Sequence, residues 1–325
     1  MTTVNLTPAD DLARQVGLAP PNTRFQLAPG HYAVEQLVVS RDAKLIGVEA
    51  AQTVLEIRQC IGVERGALTL IGLTLRGGRG DLGGAVEVVN ASRLIVDFCV
   101  FSRNEATRIG GAIHLGPGRA TISRSLFTEN RAPAGGALSI HGCSNTVVDS
   151  CFFSGNEAQV GGAVMVNETA KVLVKSCTFA RNRATFEPDE EEREAGFSAG
   201  TALAVMGAVG RGPEVELVNC LFGDQRPLSN HPFTPGRLDL SSCLLPPGSL
   251  DRLRHRNNGR SLAVEVLWTE VDGLPGLAPD SPGRRMADIT EIADGAVDLL
   301  GRPLVVRGEA DPGALGPVQP EGASR

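Results

Sequence analysis

Between residues 83 and 183 the apolar positions fall into short alternating runs, and the runs repeat. One set reads Leu94-Ile-Val96, Ala120-Thr-Ile122, Val147-Val148 and Val172-Leu-Val174. A second reads Phe101-Ser-Arg-Asn104, Phe127-Thr-Glu-Asn130, Phe153-Ser-Gly-Asn156 and Phe179-Ala-Arg-Asn182, with a fixed period of 26 residues. A third follows Gly83-Gly84-Ala85-Val86, Gly110-Gly111-Ala112-Ile113, Gly135-Gly136-Ala137-Leu138 and Gly161-Gly162-Ala163-Val164. Two positions before each Phe stands Cys99, Ser125, Cys151 or Cys177, and the frame returns at Cys220-Leu-Phe222 and Cys243-Leu-Leu245, so six coils are legible. Period-two runs this short are strands that cannot each bury a face alone, so successive copies must stack. With parallel strands about 4.8 Å apart, equal positions form Phe, Cys/Ser and Asn ladders. Asn is expected to suit its ladder because it tolerates a left-handed backbone and its amide can bond the amides above and below. Paired Gly fits a corner where a Cβ would clash.

These motifs predict an all-β fold, a right-handed parallel β-helix with three short strands per coil. The chain resembles proteins of the pectin-lyase-like group, and its Gly-Gly-Ala-Ile and Phe-x-x-Asn spacing is similar to the repeats of polymorphic outer-membrane proteins. The front, Leu27-Ala-Pro-Gly30-His-Tyr32 followed by Leu45-Ile-Gly47, resembles the opening coils of such helices. Ser281-Pro282, Asp298-Leu-Leu-Gly301-Arg302 and Asp311-Pro-Gly313-Ala314 are similar to their closing segments. The resemblance spans residues 20 to 315 and implies a fold that hosts lyases, hydrolases, adhesins and scaffolds alike.

Open coil ends need covers. Thr7-Pro8-Ala9-Asp10 reads as the start of a short capping helix that stops at Gly17. The expected organisation is a cap helix and opening coils over 1–60, regular repeats over 61–245 with an acidic loop at 185–199, and irregular coils, cap and tail over 246–325. The tail is expected to be disordered from about Pro317.

Charge changes the picture mainly by exclusion. A net charge of −6 on 325 residues leaves no basic excess for nucleic acid. No apolar run reaches the roughly 18 residues of a membrane span. Asp10 and Asp11 stand where an export signal needs cations and an apolar stretch, so a cytoplasmic location is expected, with a signal-independent route left open. Five of seven cysteines share one repeat column, which makes them small core residues and thiols. No spacing points to a metal or other cofactor, and none is expected. The columns Glu105, Arg131, Glu157, Arg183 and Arg103, Glu129, Gly155, Arg181 read as surface charge ladders.

Four features could carry function. Glu87 and His114 should be stacked neighbours on the outer side of the Gly-Gly-Ala strand, with His141 diagonal to them, a set able to serve as general acid and base on a bound sugar. Asp189, Glu190 and Glu191 form a weak candidate for calcium or a basic partner. Val100, Leu126, Phe152 and Leu221 form an apolar outer stripe that either the C-terminal segment or another protein, including a second copy, should cover. Asp97 and Asp149 share a column but are separated by Ser123. One Trp and one Tyr leave few stacking platforms for a glycan. Two readings therefore stand: a non-enzymatic scaffold or module binding a protein or glycan along a helix face, and a lyase, hydrolase or epimerase acting on an acidic glycan.

Overall fold

The computed structural model describes residues 2–315 apart from 143–144, 196–197, 209–210, 252, 258–260, 272–273, 279, 283, 289, 291, 293–295, 299, 301 and 306–308. Cys143, Leu299, Gly301 and the tail from Pro317 lie outside the described residues. Among the described residues, three parallel sheets of eleven, ten and eight strands run the length of a right-handed β-helix. Each regular coil visits them in turn: Val86–Val88 in the eight-stranded sheet, Arg93–Asp97 in the eleven-stranded sheet, Val100–Ser102 in the ten-stranded sheet. The next coil repeats the order at Ile113–Leu115, Arg119–Ser123 and Leu126–Thr128, residue over residue.

The ladders hold the coils in register. Phe101, Phe127, Phe153, Phe179 and Phe222 stack with ring centroids 4.8–5.0 Å apart and planes within 8°. Cys99, Cys151, Cys177, Cys220 and Cys243 are buried free thiols, and burial pushes the Cys99 thiol up to about 12. In the Asn ladder, the Nδ2 of Asn104, Asn130 and Asn156 each donates to the Oδ1 of the next at 2.9–3.0 Å. The ladder ends on Asp224, whose carboxylate accepts from the Asn182 backbone N–H at 2.9 Å.

The backbone corrects one expectation. The left-handed residue is not the Asn but the one before it, Arg103, Glu129, Gly155 and Arg181, with φ of 52–67°. The amide must point inward to bond along the stack, so the preceding residue absorbs the turn. The paired glycines follow two separate constraints. The first of each pair, Gly83, Gly110, Gly135 and Gly161, has φ of 62–70°. A Cβ on the second, at Gly84, Gly111 or Gly136, would come within 2.0–2.2 Å of a carbonyl oxygen of the following coil.

Between the Asn and the Gly-Gly corner a fourth short strand appears, Arg79–Leu82 beside Glu105–Ile109, continued by bridges through Arg131 and Glu157. Arg79, Glu105, Arg131, Glu157 and Arg183 therefore lie in one alternating column, with Arg183 and Glu157 paired at 3.6 Å.

The capping helix begins later than expected. Thr7–Asp10 is a turn closed by hydrogen bonds from the Thr7 N–H and hydroxyl to Asp10, and the helix runs Leu12–Leu18 with Asp11 as its N-cap. It buries Leu12 and Val16 over the first coils. A strand at Thr3–Leu6, which no periodicity announced, starts the eleven-stranded sheet. At the other end Arg256–Asn257 and Leu262–Ala263 add a partial coil, and an antiparallel hairpin, Trp268–Val271 with Leu274–Leu277, follows. No helix among the described residues is long and apolar enough to cross a membrane.

Candidate functional site

In the strand Ile113–Leu115 both flanking residues are buried in the core, so the intervening His114 must face out. Register places it beside Glu87 on one side and Ser139 on the other. The outer side of this sheet is less exposed than its alternation predicts. His114 is 5% exposed, Ser139 0% and Met165 4%. Each is flanked by its ladder neighbours and closed off by the Gly-Gly corner: a Cβ on Gly135 would lie 3.1 Å from that of Met165.

Glu87 and His114 are therefore brought together, with His141 in the next coil, its ring centroid 6.3 Å from that of His114. Burial, with repulsion from His141 and Arg108, pushes the His114 imidazole down to about 4. Its Nδ1 is buried without a hydrogen-bond partner. A neutral ring with nothing to receive a proton from Nδ1 is best satisfied with its proton on Nε2. The small Gly116 leaves room there: a Cβ would lie 3.9 Å from Nε2. Burial also raises the Glu87 carboxyl above the usual range, with Asp81 adding to it.

His141 is held differently. Its Nδ1 lies 2.9 Å from Asn167 Oδ1 and its Nε2 3.1 Å from Glu168 Oε1, so the ring is fixed from both sides while remaining part-exposed. Asp81 accepts from the Thr107 hydroxyl at 2.6 Å and pairs with Arg108 at 3.4 Å, and the Thr107 hydrogen bond lowers its carboxyl. Cys60 stands at the same end, its thiol raised by burial and by the Glu87 charge. Alternation alone missed Asp81, Thr107, Arg108 and Glu168, which come from corners and from the fourth strand. Asp81 and Thr107 are 26 residues apart, as are His141 and Asn167, and that spacing was the available signal.

The other candidates separate. The apolar stripe is not a uniform free interface: Phe152 and Leu221 are buried, packed with Trp268, Leu277, Met286 and Ala314 of the chain's own C-terminal segment, whereas Val100 and Leu126 remain half-buried. In the acidic insertion Asp189 caps a five-residue helix, Glu190–Glu194: its carboxylate accepts from the Glu192 N–H, and its own N–H donates to the Glu192 carboxylate. That commits Asp189 and Glu192 locally, and Glu190 and Glu191 are exposed on the helix. Among the described residues no three His, Cys, Asp or Glu side chains are placed to hold a metal ion. Asp97 pairs with Arg124 at 2.5 Å and Asp149 with Lys175 at 3.2 Å. Tyr32 is a core residue bonded to the Leu6 and Ala28 carbonyls.

A family model described as "Right handed beta helix region" matches residues 59–224. A search of the curated proteins finds no match. Among solved structures the chain is similar to a "PL6 family alginate lyase AlyGC" at 13% identity and a TM-score of 0.36, covering 82% of this chain and 38% of that one. A second is "a new PL6 alginate lyase complex with trisaccharide", at 11% identity and a TM-score of 0.34, covering 93% of this chain and 95% of that one. The chain thus spans about two fifths of the length of the first of these lyases.

Proposed function

The chain belongs to the right-handed β-helix family, and from that premise we propose that it is a non-enzymatic binding module taking a hydroxyl-rich glycan across the outer face of its eight-stranded sheet. One observation carries the reading: Glu87, His114 and His141 meet on that face with His114 held neutral. Beside the buried His114, the Glu87 carboxyl of raised pKa, the part-exposed His141 ring and the amide of Asn167 supply donors and acceptors of the kind that sugar hydroxyls pair with. The same shift argues against proton transfer by His114. A catalytic base works best with a pKa near the operating pH, and one near 4 accepts a proton with little driving force at neutrality.

Acid and base chemistry on an acidic glycan is the second reading, favoured by Glu87, whose raised carboxyl is the one group of the set tuned toward a proton donor. Affinity electrophoresis against neutral and uronate polysaccharides, with product release assayed in parallel, separates the two. The module reading expects retention by at least one glycan, about tenfold weaker in His141→Ala and Glu87→Gln, with no product. Retention by none overturns it. Product formation abolished by Glu87→Gln replaces it with the enzyme reading.

A further inference from the structure

The outer side of the eleven-stranded sheet changes character along its length. Register sets Val147, Leu173, Glu216 and Asp239 in one outward column, apolar for two coils and acidic for the next two. Beside it Lys171, Glu214 and Arg237 are also in register. Together they line an open cavity of about 310 Å³, on a different sheet from Glu87, His114 and His141.

The charges of this cavity do not balance. Lys171 pairs with Glu214 at 3.5 Å. Arg237 donates from Nε to Oδ2 of Asp239 at 2.7 Å, with Nη2 2.6 Å from the same oxygen. Glu216 makes no ion pair among the described residues, so two cations meet three carboxylates. Asp239 carries a second deficit. Its neighbours Leu238 and Leu240 are core residues, so its carboxylate faces out into the cavity, yet the residue is only 7% exposed and its Oδ1 has no hydrogen-bond partner. Arg256, its register neighbour in the last coil, is exposed and leaves that oxygen unpaired. A buried acceptor without a donor is costly, and a ligand that brings one removes that cost.

The group that answers both deficits is a cation with several donors. Glu216 and Asp239 stand on neighbouring strands about 4.8 Å apart, so one ammonium between them can donate to both carboxylates. A metal ion fits less well, since no three His, Cys, Asp or Glu side chains among the described residues are placed to hold one. Val147 and Leu173, half-buried in the same column, give the rest of the molecule an apolar floor. We propose that this cavity binds a small primary amine with an apolar body. Its ammonium is shared between Oδ1 of Asp239 and the Glu216 carboxylate, and its body lies on Leu173 and Val147.

Isothermal titration calorimetry of the full chain with n-hexylamine, n-hexanol and hexanoate tests it. Saturable one-to-one binding of hexylamine is expected, about tenfold or more tighter than that of the alcohol or the acid. Glu216→Gln and Asp239→Asn should each weaken it about tenfold. Glu216 is exposed, so its variant probes the site without disturbing the core, and circular dichroism checks that Asp239→Asn keeps its coils. Glu105→Gln, which removes the same charge from the fourth strand, should bind as the wild type does. Absence of saturable hexylamine binding overturns the proposal. So does equal binding of hexylamine and hexanol, which would leave only an apolar groove, or wild-type affinity in both Glu216→Gln and Asp239→Asn.

Discussion

His114 shows how far a single position can depart from what its alternation suggests. Period-two patterning puts it on the outer side of its strand, and the structure agrees, yet packing between Glu87 and Ser139 under the Gly-Gly corner buries it. The sign of the consequence is fixed by its pKa. Folding depresses the imidazole from its ordinary 6.5 to about 4, so the unfolded chain takes up a proton in that window that the folded chain refuses. The stability it contributes is full above pH 6.5 and is lost as pH falls toward 4, by about 3 kcal/mol at the limit. In urea melts between pH 7 and pH 4 the wild type should therefore lose about that much more stability than His114→Phe, and equal losses would contradict the placement. Residue identity was readable here and environment was not, because burial of an outward side chain depends on its neighbours in three dimensions. The Asn column repeats the lesson: its inward amide was legible, but the left-handed turn sits one residue earlier, at Arg103, Glu129 and Arg181, where no glycine marks it.

At the scale of the element, the coil is held by ladders whose members each serve two neighbours. Asn130 accepts from the N–H and Nδ2 of Asn104 and donates to the Phe101 carbonyl, all within 3.0 Å. Removing it strands two buried donors and one acceptor, each of which costs about 1 kcal/mol or more when unsatisfied. Asn130→Ala should destabilise the helix by about 3 kcal/mol in equilibrium denaturation, well beyond an exposed substitution such as Arg131→Ala in the same coil. A loss below about 1 kcal/mol would mean that the ladder is not continuous. The regular coils were plain in the sequence because residues 26 apart occupy equal positions. The fourth strand was not, since its register depends on corner geometry, and the hairpin over Trp268–Leu277 falls where the repeat has faded. The N-terminal helix was placed too early because Thr7 and Asp10 satisfy each other in a turn that imitates a cap.

For the whole molecule, the question is which side of the spiral is left for a ligand. The C-terminal segment clothes much of the ten-stranded sheet, with the ring of Trp268 where a Cβ on Gly223 would stand, 2.3 Å from its Cζ2. Because Trp268 is the single tryptophan, Gly223→Ala should lift the cover and red-shift the emission while leaving the coil spectrum in the far ultraviolet intact. An unchanged emission would show that the cover does not rest there. With that side occupied by the chain itself, the proposed ligand face is the eight-stranded sheet, where Glu87, His114 and His141 meet. Imidazole resonances followed by NMR while a retained polysaccharide is added test this claim most directly. His114 and His141 should shift with saturation while His31, paired with Glu56 at 3.0 Å on another sheet, stays fixed. Movement of His31 with His114 and His141 unmoved would place the ligand elsewhere and contradict the account.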